Sequence, residues 1–297
     1  MTFQRHAIAI AAGFAMLSAA APAQDKLKVL ATFSILGDFV RSVGGDRVEV
    51  TTLVGPNSDA HVYAPAPADA KKVADAKLVI TNGLGFEGWM SRLVKASGGK
   101  APVLVATKGI KERKTAGGPG PGGADPHAWQ SVANAKVYVA NIRDALIAAD
   151  PAGKDVYEAN ATAYLAKLDA LDQAMRAAVA AIPADRRRII SSHDAFGYFQ
   201  QAYGVDFIAP QGVSTEAEPS ARDVARIITQ VKKQKIPAVF LENITDARLM
   251  ERIAQETGAR IGGRLYSDAL TDDKGDAPSY IELMRHNVKT LSAALMT

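Results

Sequence analysis

The chain has no cysteine among its 297 residues. Disulfides, thiolate metal sites and cysteine-linked lipids are therefore excluded from any account of these residues. Long apolar runs are missing beyond residue 23, because charges interrupt every candidate membrane span. No sign of charge dominates: 35 basic and 31 acidic residues leave a formal net charge of +4 (35 − 31). The short basic runs Arg186-Arg187-Arg188 and Lys232-Lys233-Gln234-Lys235 stand at element boundaries and read as solvated ends. Nucleic acid is accordingly not an expected partner. Histidine is scarce too, at five residues, and that makes each placement informative.

The N-terminus, by contrast, has a clear pattern. Met1 to Ala23 carries Arg5, an apolar run from Ala7 to Ala21, and the closing triplet Ala21-Pro22-Ala23. This is the pattern of a secretory signal peptide cleaved before Gln24. Residues 1–23 are thus expected to leave, taking one positive charge with them. A soluble protein of a Gram-negative periplasm, without a lipid anchor, is the expected product. The remaining length, about 270 residues, exceeds one typical core and argues for two domains.

Periodicity divides the mature chain. Strand-like runs (Lys26 to Phe33, Arg47 to Leu53, Leu78 to Thr81, Val103 to Val105) alternate with helical ones (from Ser34, Ala66 to Ala76, Glu87 to Ala96). That alternation predicts a parallel α/β unit. The run KTAGGPGPGGADP then breaks all periodicity and reads as a mobile loop. A helix over Val132 to Ala149 follows. Tyr157, Tyr164, Leu168, Leu171, Met175 and Val179 then share one helical face, and Pro183 ends the segment. A helix of about 30 residues is about 45 Å long, enough to join two lobes. Beyond it strands and helices alternate again, with Ser220 capping a helix to Lys235 and a closing helix over Tyr280 to Leu295. The expected fold is therefore α/β, with parallel-sheet lobes at 24–150 and 183–297 bridged by a long helix at 151–182.

With His6 gone, four histidines remain. His61, His127 and His193 each lie at or just after a loop that follows a strand-like run, where open α/β sheets bind ligands. His286 lies inside a charged helix and reads as a solvated-face residue. Three imidazoles in such places suit a metal, and without cysteine a carboxylate is the natural fourth donor. Glu242, Asp268, Glu216 and Glu218 are all candidates on sequence pattern. Three histidines and a water also make a catalytic zinc site, so a zinc-dependent hydrolase is the rival class. Neither the H-E-x-x-H nor the zinc-deaminase signature is present.

Four motifs carry a resemblance: Asp59-Ala60-His61-Val62-Tyr63-Ala64-Pro65, Asp125-Pro126-His127-Ala128-Trp129, Ser192-His193-Asp194-Ala195-Phe196-Gly197-Tyr198-Phe199, and Tyr266-Ser267-Asp268-Ala269-Leu270. In this order, with a long helix between the second and third, the mature chain resembles the cluster A-I solute-binding proteins of zinc and manganese ABC transporters. The resemblance implies two α/β lobes bridged by a rigid helix, with the metal site in the inter-lobe cleft. It implies ligands His61 and His127 from the first lobe, and His193 and Asp268 from the second. Glu242 is left as a buried acid paired with a cation. Manganese-type members carry glutamate at the third position, so His193 points to Zn²⁺, with Mn²⁺ the alternative cargo. The resemblance also implies a monomer that is not an enzyme. Its partners would be an inner-membrane permease driven by a cytoplasmic ATPase, and a periplasmic metallochaperone. Ala60 stands where proline is usual. Lys111 to Ala124 has none of the histidines that enrich the same loop in many zinc members, and one acid, Glu112.

Overall fold

The computed structural model describes residues 25–115, 118–120 and 122–296. The signal-peptide segment lies outside them. The first lobe runs through β1 (Leu27–Phe33), α1 (Ser34–Gly44), β2 (Val48–Val54), α2 (Pro67–Asp75), β3 (Leu78–Thr81), α3 (Met90–Ser97), β4 (Val103–Val105) and α4 (Val132–Ala149). The bridge is α5 (Lys154–Ala181), entered through a 3₁₀ turn at Pro151–Gly153. The second lobe runs through β5 (Arg188–Ile190), α6 (Gly197–Tyr203), β6 (Asp206–Ile208), α7 (Ala221–Gln234), β7 (Ala238–Glu242), α8 (Arg248–Thr257), β8 (Arg260–Leu265) and α9 (Tyr280–Leu295).

Both sheets are wholly parallel, in the orders β2-β1-β3-β4 and β6-β5-β7-β8. Counted within each lobe the order is the same, so one winding pattern occurs twice. In each, the chain crosses to one side of its first strand and then to the other. The loops at the carboxyl ends there open a crevice. The inner strands read as near-continuous apolar runs because helices cover both faces.

Hydrogen-bonded turns precede α3, α6 and α8, and α3 starts at Met90 rather than at Glu87 as its apolar pattern predicts. Glu87 sends its carboxylate back to the N–H groups of Asn82 and Gly83. Ala195 N bonds His193 O in a tight turn. Asp246 accepts from Arg248 N, an Asx turn ahead of α8.

The 28-residue α5 is about 42 Å long. It buries Tyr157, Ala161, Tyr164, Leu168, Leu171, Met175 and Val179 along one stripe, against α1 and α4 on one side and α6 and α9 on the other. One hydrophobic core therefore runs through both lobes, from Val29 to Leu295. A smaller cluster, including Ile190, Ile227 and Met250, fills the outer face of the second lobe. A shared core under a continuous helix leaves little freedom for wide hinge opening.

Where the sequence predicts a loop, the described residues of the Gly/Pro-rich run form a hairpin, with Lys114 bridging Ala124 and Thr115 N donating to Gly123 O. The hairpin rests on the first lobe at Leu84–Gly85. Gly85 has φ +81°, and a Cβ on it would strike the backbone of Pro119 and Gly120. The small residues serve backbone-on-backbone packing, which the loss of periodicity does not reveal.

Candidate metal centre

Both first-lobe histidines are set by the same local device. In Asp59-Ala60-His61 and Asp125-Pro126-His127, the aspartate Oδ1 accepts the backbone N–H of the histidine two residues on, at 2.8 and 3.0 Å. The carbonyl between is tied down from the lobe: Trp89 Nε1 donates to Ala60 O and Asn82 Nδ2 to Pro126 O, both at 2.9 Å. His193 follows β5 directly, and Glu242 Oε1 accepts the N–H groups of Ser192 and His193 at 2.8 and 3.0 Å. Asp268 follows β8.

These loops bring His61, His127, His193 and Asp268 together. One donor atom from each lies within 4.8 Å of all the others. Asp268 Oδ2 is 3.2 Å from His61 Nε2, 3.6 Å from His127 Nε2 and 3.2 Å from His193 Nε2. The Nε2 atoms of His61 and His127 are 3.2 Å apart. A tetrahedral ion with bonds of about 2.0–2.1 Å has donor–donor edges of about 3.3–3.4 Å. All four residues are buried, none more than 5% exposed. The opposite oxygen, Asp268 Oδ1, is buried with no hydrogen-bond partner among the described residues. Converging lone pairs on an orphaned buried carboxylate call for a cation at the centre.

Two imidazoles are held from behind by carboxylates. Asp125 Oδ1 lies 2.8 Å from His127 Nδ1, and Glu242 Oε2 lies 2.6 Å from His193 Nδ1. The second contact has ion-pair distance but not the angles of a hydrogen bond. Such partners direct Nε2 toward the centre and raise its basicity. Glu242 is thus placed behind a ligand candidate, not among the four. Glu216 and Glu218 line a cavity of about 630 Å³ between the lobes, beside the cluster. Asp59, Ser192 and Asp246 also line it, and its acidic lining favours approach by a cation. His286 is half-buried: its ring sits edge-on to Tyr266, with Nε2 3.0 Å from Arg264 O. It ties α9 to the end of β8 while keeping part of its ring at the surface.

Electrostatics follow from burial and these carboxylates. Burial opposes charge on every ring. At His127 the Asp268 and Asp125 carboxylates outweigh it, and the pKa is pushed up to about 9. At His193 Glu242 and Asp268 likewise raise it. At His61 burial wins and the value is lowered. Asp268, despite burial, is held well below the usual carboxylate range by His127 and His193.

Asp268 belongs to the second lobe by chain order, and its loop is bonded to both lobes. Ser267 O accepts from Trp129 Nε1 at 2.9 Å and Gln130 Nε2 at 2.7 Å. Leu270 N donates to Ser34 Oγ and Leu270 O accepts from Asn57 N. Tyr280, at the start of α9, donates its N–H to Asp38 and its hydroxyl to Trp129 O. The second lobe holds the loop too: Tyr266 N and O both bond Asn287 of α9, and Ala269 O accepts from Asn243 Nδ2. Of these long-range partners only Trp129 falls in one of the four motifs.

Glu242→Gln tests the support of His193. The amide keeps the volume and loses the charge, so metal affinity is expected to fall about 10–100-fold. A chelator competition that gives the wild-type constant would assign Glu242 to stability alone.

A buried, four-donor cleft between two equally wound lobes defines a solute-binding protein for a metal ion, not an enzyme. The family model for the periplasmic component A of zinc-uptake complexes, ZnuA, matches residues 29–294. The iron-binding protein YfeA of Yersinia pestis is 36% identical over 267 residues, covering 90% of this chain and 86% of that one. The manganese-binding lipoprotein MntA of Halalkalibacterium halodurans is 35% identical over 275 residues, covering 91% and 89%. The solved structure of the periplasmic zinc-binding protein TroA from Treponema pallidum matches with a TM-score of 0.86 at 30% identity, covering 91% of this chain and 99% of that one. The chain belongs to the ZnuA family, the substrate-binding proteins of metal ABC transporters. No helix among the described residues is long and apolar enough to cross a membrane.

Proposed function

We propose that this protein captures Zn²⁺ in the periplasm and delivers it to an inner-membrane ABC permease driven by a cytoplasmic ATPase. Zn²⁺ is the cargo, held by His61, His127, His193 and Asp268. The observation that carries the reading is the convergence of three imidazole Nε2 atoms on one carboxylate oxygen in a buried site. Relatives in the family are named for iron, manganese and zinc, so family membership leaves the metal open. The donor set favours zinc: three neutral imidazoles and one carboxylate make a softer site than two of each, which would suit Mn²⁺ better. In this reading 1–23 is the exported leader, and the lobes 24–150 and 183–297 move about the strut 151–182. The protein works as a monomer, and a periplasmic metallochaperone is a further donor of metal.

The test is a calorimetric titration of the metal-stripped mature protein. One Zn²⁺ per chain is expected, tighter than Mn²⁺ by at least tenfold. Two tight Zn²⁺ sites, or Mn²⁺ preferred over Zn²⁺, would sink the reading.

A further inference from the structure

Arg113 stands in the Gly/Pro-rich hairpin, 14 residues before His127, and no motif points to it. Its Nη1 donates to Asp125 Oδ2 at 2.7 Å, while the opposite oxygen of the same buried carboxylate meets His127 Nδ1 at 2.8 Å. The two contacts fix the carboxylate plane, and that plane fixes the direction of the imidazole. The arginine backbone joins the same knot. Arg113 O accepts from Asp125 N at 2.8 Å, and Arg113 N donates to the Tyr198 hydroxyl at 2.8 Å. That hydroxyl in turn donates to Asp125 O at 3.3 Å.

Tyr198 belongs to the second lobe, and so does the seat of the guanidinium. The group lies on Gly197 so closely that a Cβ there would fall on its Cζ and Nη1. Gly197 does not have a positive φ, so the backbone does not require glycine. It is also the first residue of α6, where alanine is the better helix former. Room for the Arg113 side chain is what the missing Cβ supplies.

We propose that Arg113 is a positioning residue for His127, acting through Asp125, and that it makes the aim of this first-lobe imidazole depend on a seat in the second lobe. The proposal rests on the reading of His127 as a metal ligand. It adds that loop 111–124, which has no ligand side chain of its own among its described residues, acts on the metal through this one arginine. Arginine suits the task better than lysine because its planar fork can engage the carboxylate while lying flat on a glycine.

The experiment uses the full mature chain with Arg113→Ala, Arg113→Lys and Gly197→Ala, bounded by the wild type and His127→Ala. Gly197→Ala touches no ligand and no carboxylate; it only removes the seat. Two quantities are read: Zn²⁺ affinity by chelator competition, and the ¹⁵N resonances of the His127 and His193 rings in the metal-free protein. Arg113→Ala and Gly197→Ala are both expected to weaken Zn²⁺ about 10–100-fold. Both should shift His127 Nδ1 while leaving His193 in place, and Arg113→Lys should recover part of the loss. Affinity within twofold of wild type in both variants, with an unmoved His127 resonance, overturns the proposal. So does an equal disturbance of His193, which would mean general loosening. If Arg113→Ala does not fold, Gly197→Ala decides. If His127→Ala binds Zn²⁺ like the wild type, the ligand reading fails on its own, and the metal-free resonances still judge the positioning.

Discussion

Replacing His127 with alanine is expected to weaken Zn²⁺ binding by about a hundredfold or more. Closed four-donor zinc sites bind with about 10–16 kcal/mol, so an equal share per donor is about 3 kcal/mol, or about two decades in Kd. His127 loses more than a share. Its removal takes the imidazole partner from the buried Asp125, and leaves His61 Nε2 facing empty space at the 3.2 Å contact. His61→Ala should follow closely. Asp268→Ala removes the one donor that touches all three rings, so only weak three-histidine binding should survive, with a position opened to water. His193→Ala should retain the most, because the loops of the other three donors are each bonded to the first lobe and stay in place. His286→Ala should bind as the wild type does. Competition against a chromogenic chelator ranks the series. A His286→Ala protein with a hundredfold defect, or a His127→Ala protein without one, would contradict the ligand set.

The second large effect is on pH. Without metal, the Asp268 and Asp125 carboxylates push the His127 pKa up to about 9, so this ring holds a proton at neutral pH, and Glu242 and Asp268 raise His193 in the same direction. Zn²⁺ must displace such protons, and its apparent affinity should climb steadily from about pH 6 toward pH 9. Near neutrality the titration heat should reveal at least one proton released per Zn²⁺, that of His127, when buffers of different ionisation enthalpy are compared. Stability of the metal-free fold runs the other way. A histidine raised in the folded state contributes fully below its unfolded value of about 6.5, and the contribution is lost as pH rises through about 9. The metal-bound fold gains with each decade of affinity. The difference in melting temperature with and without Zn²⁺ should therefore widen from pH 6 to pH 9. A difference that shrinks over that range would show that the rings are already neutral in the free protein.

Much of this architecture is legible in one sequence because its signals are local. Buried parallel strands read as apolar runs, and α5 announces itself by one stripe of large residues from Tyr157 to Val179. The four-donor cluster is legible for a different reason. With no cysteine and few histidines, the three that follow strands stand apart, although pattern alone leaves Asp268 level with Glu242. What the sequence hides is set by pairs far apart in the chain. Arg113 acquires meaning only when Asp125 and Gly197 surround it. Glu242 looks like any strand-end acid until β7 places it behind His193. The frame around Asp268 joins backbone groups of its loop to Trp129, Gln130 and Ser34, more than a hundred residues away in the chain.

That frame bears on how the proposed cargo would change hands. In the proposed ligand set, the loops of three donors are bonded to the first lobe, and His193 is the finger that comes from the second alone. Were the second lobe to shift slightly, a bound ion would be left with one empty corner. A receiving protein could offer its own side chain at that corner before any of the other three lets go. The metal would then move by substitution, one donor at a time, without facing bulk water as a free ion. In such an exchange the tightness of the closed grip does not set the speed of transfer. What sets it is how readily one finger lifts.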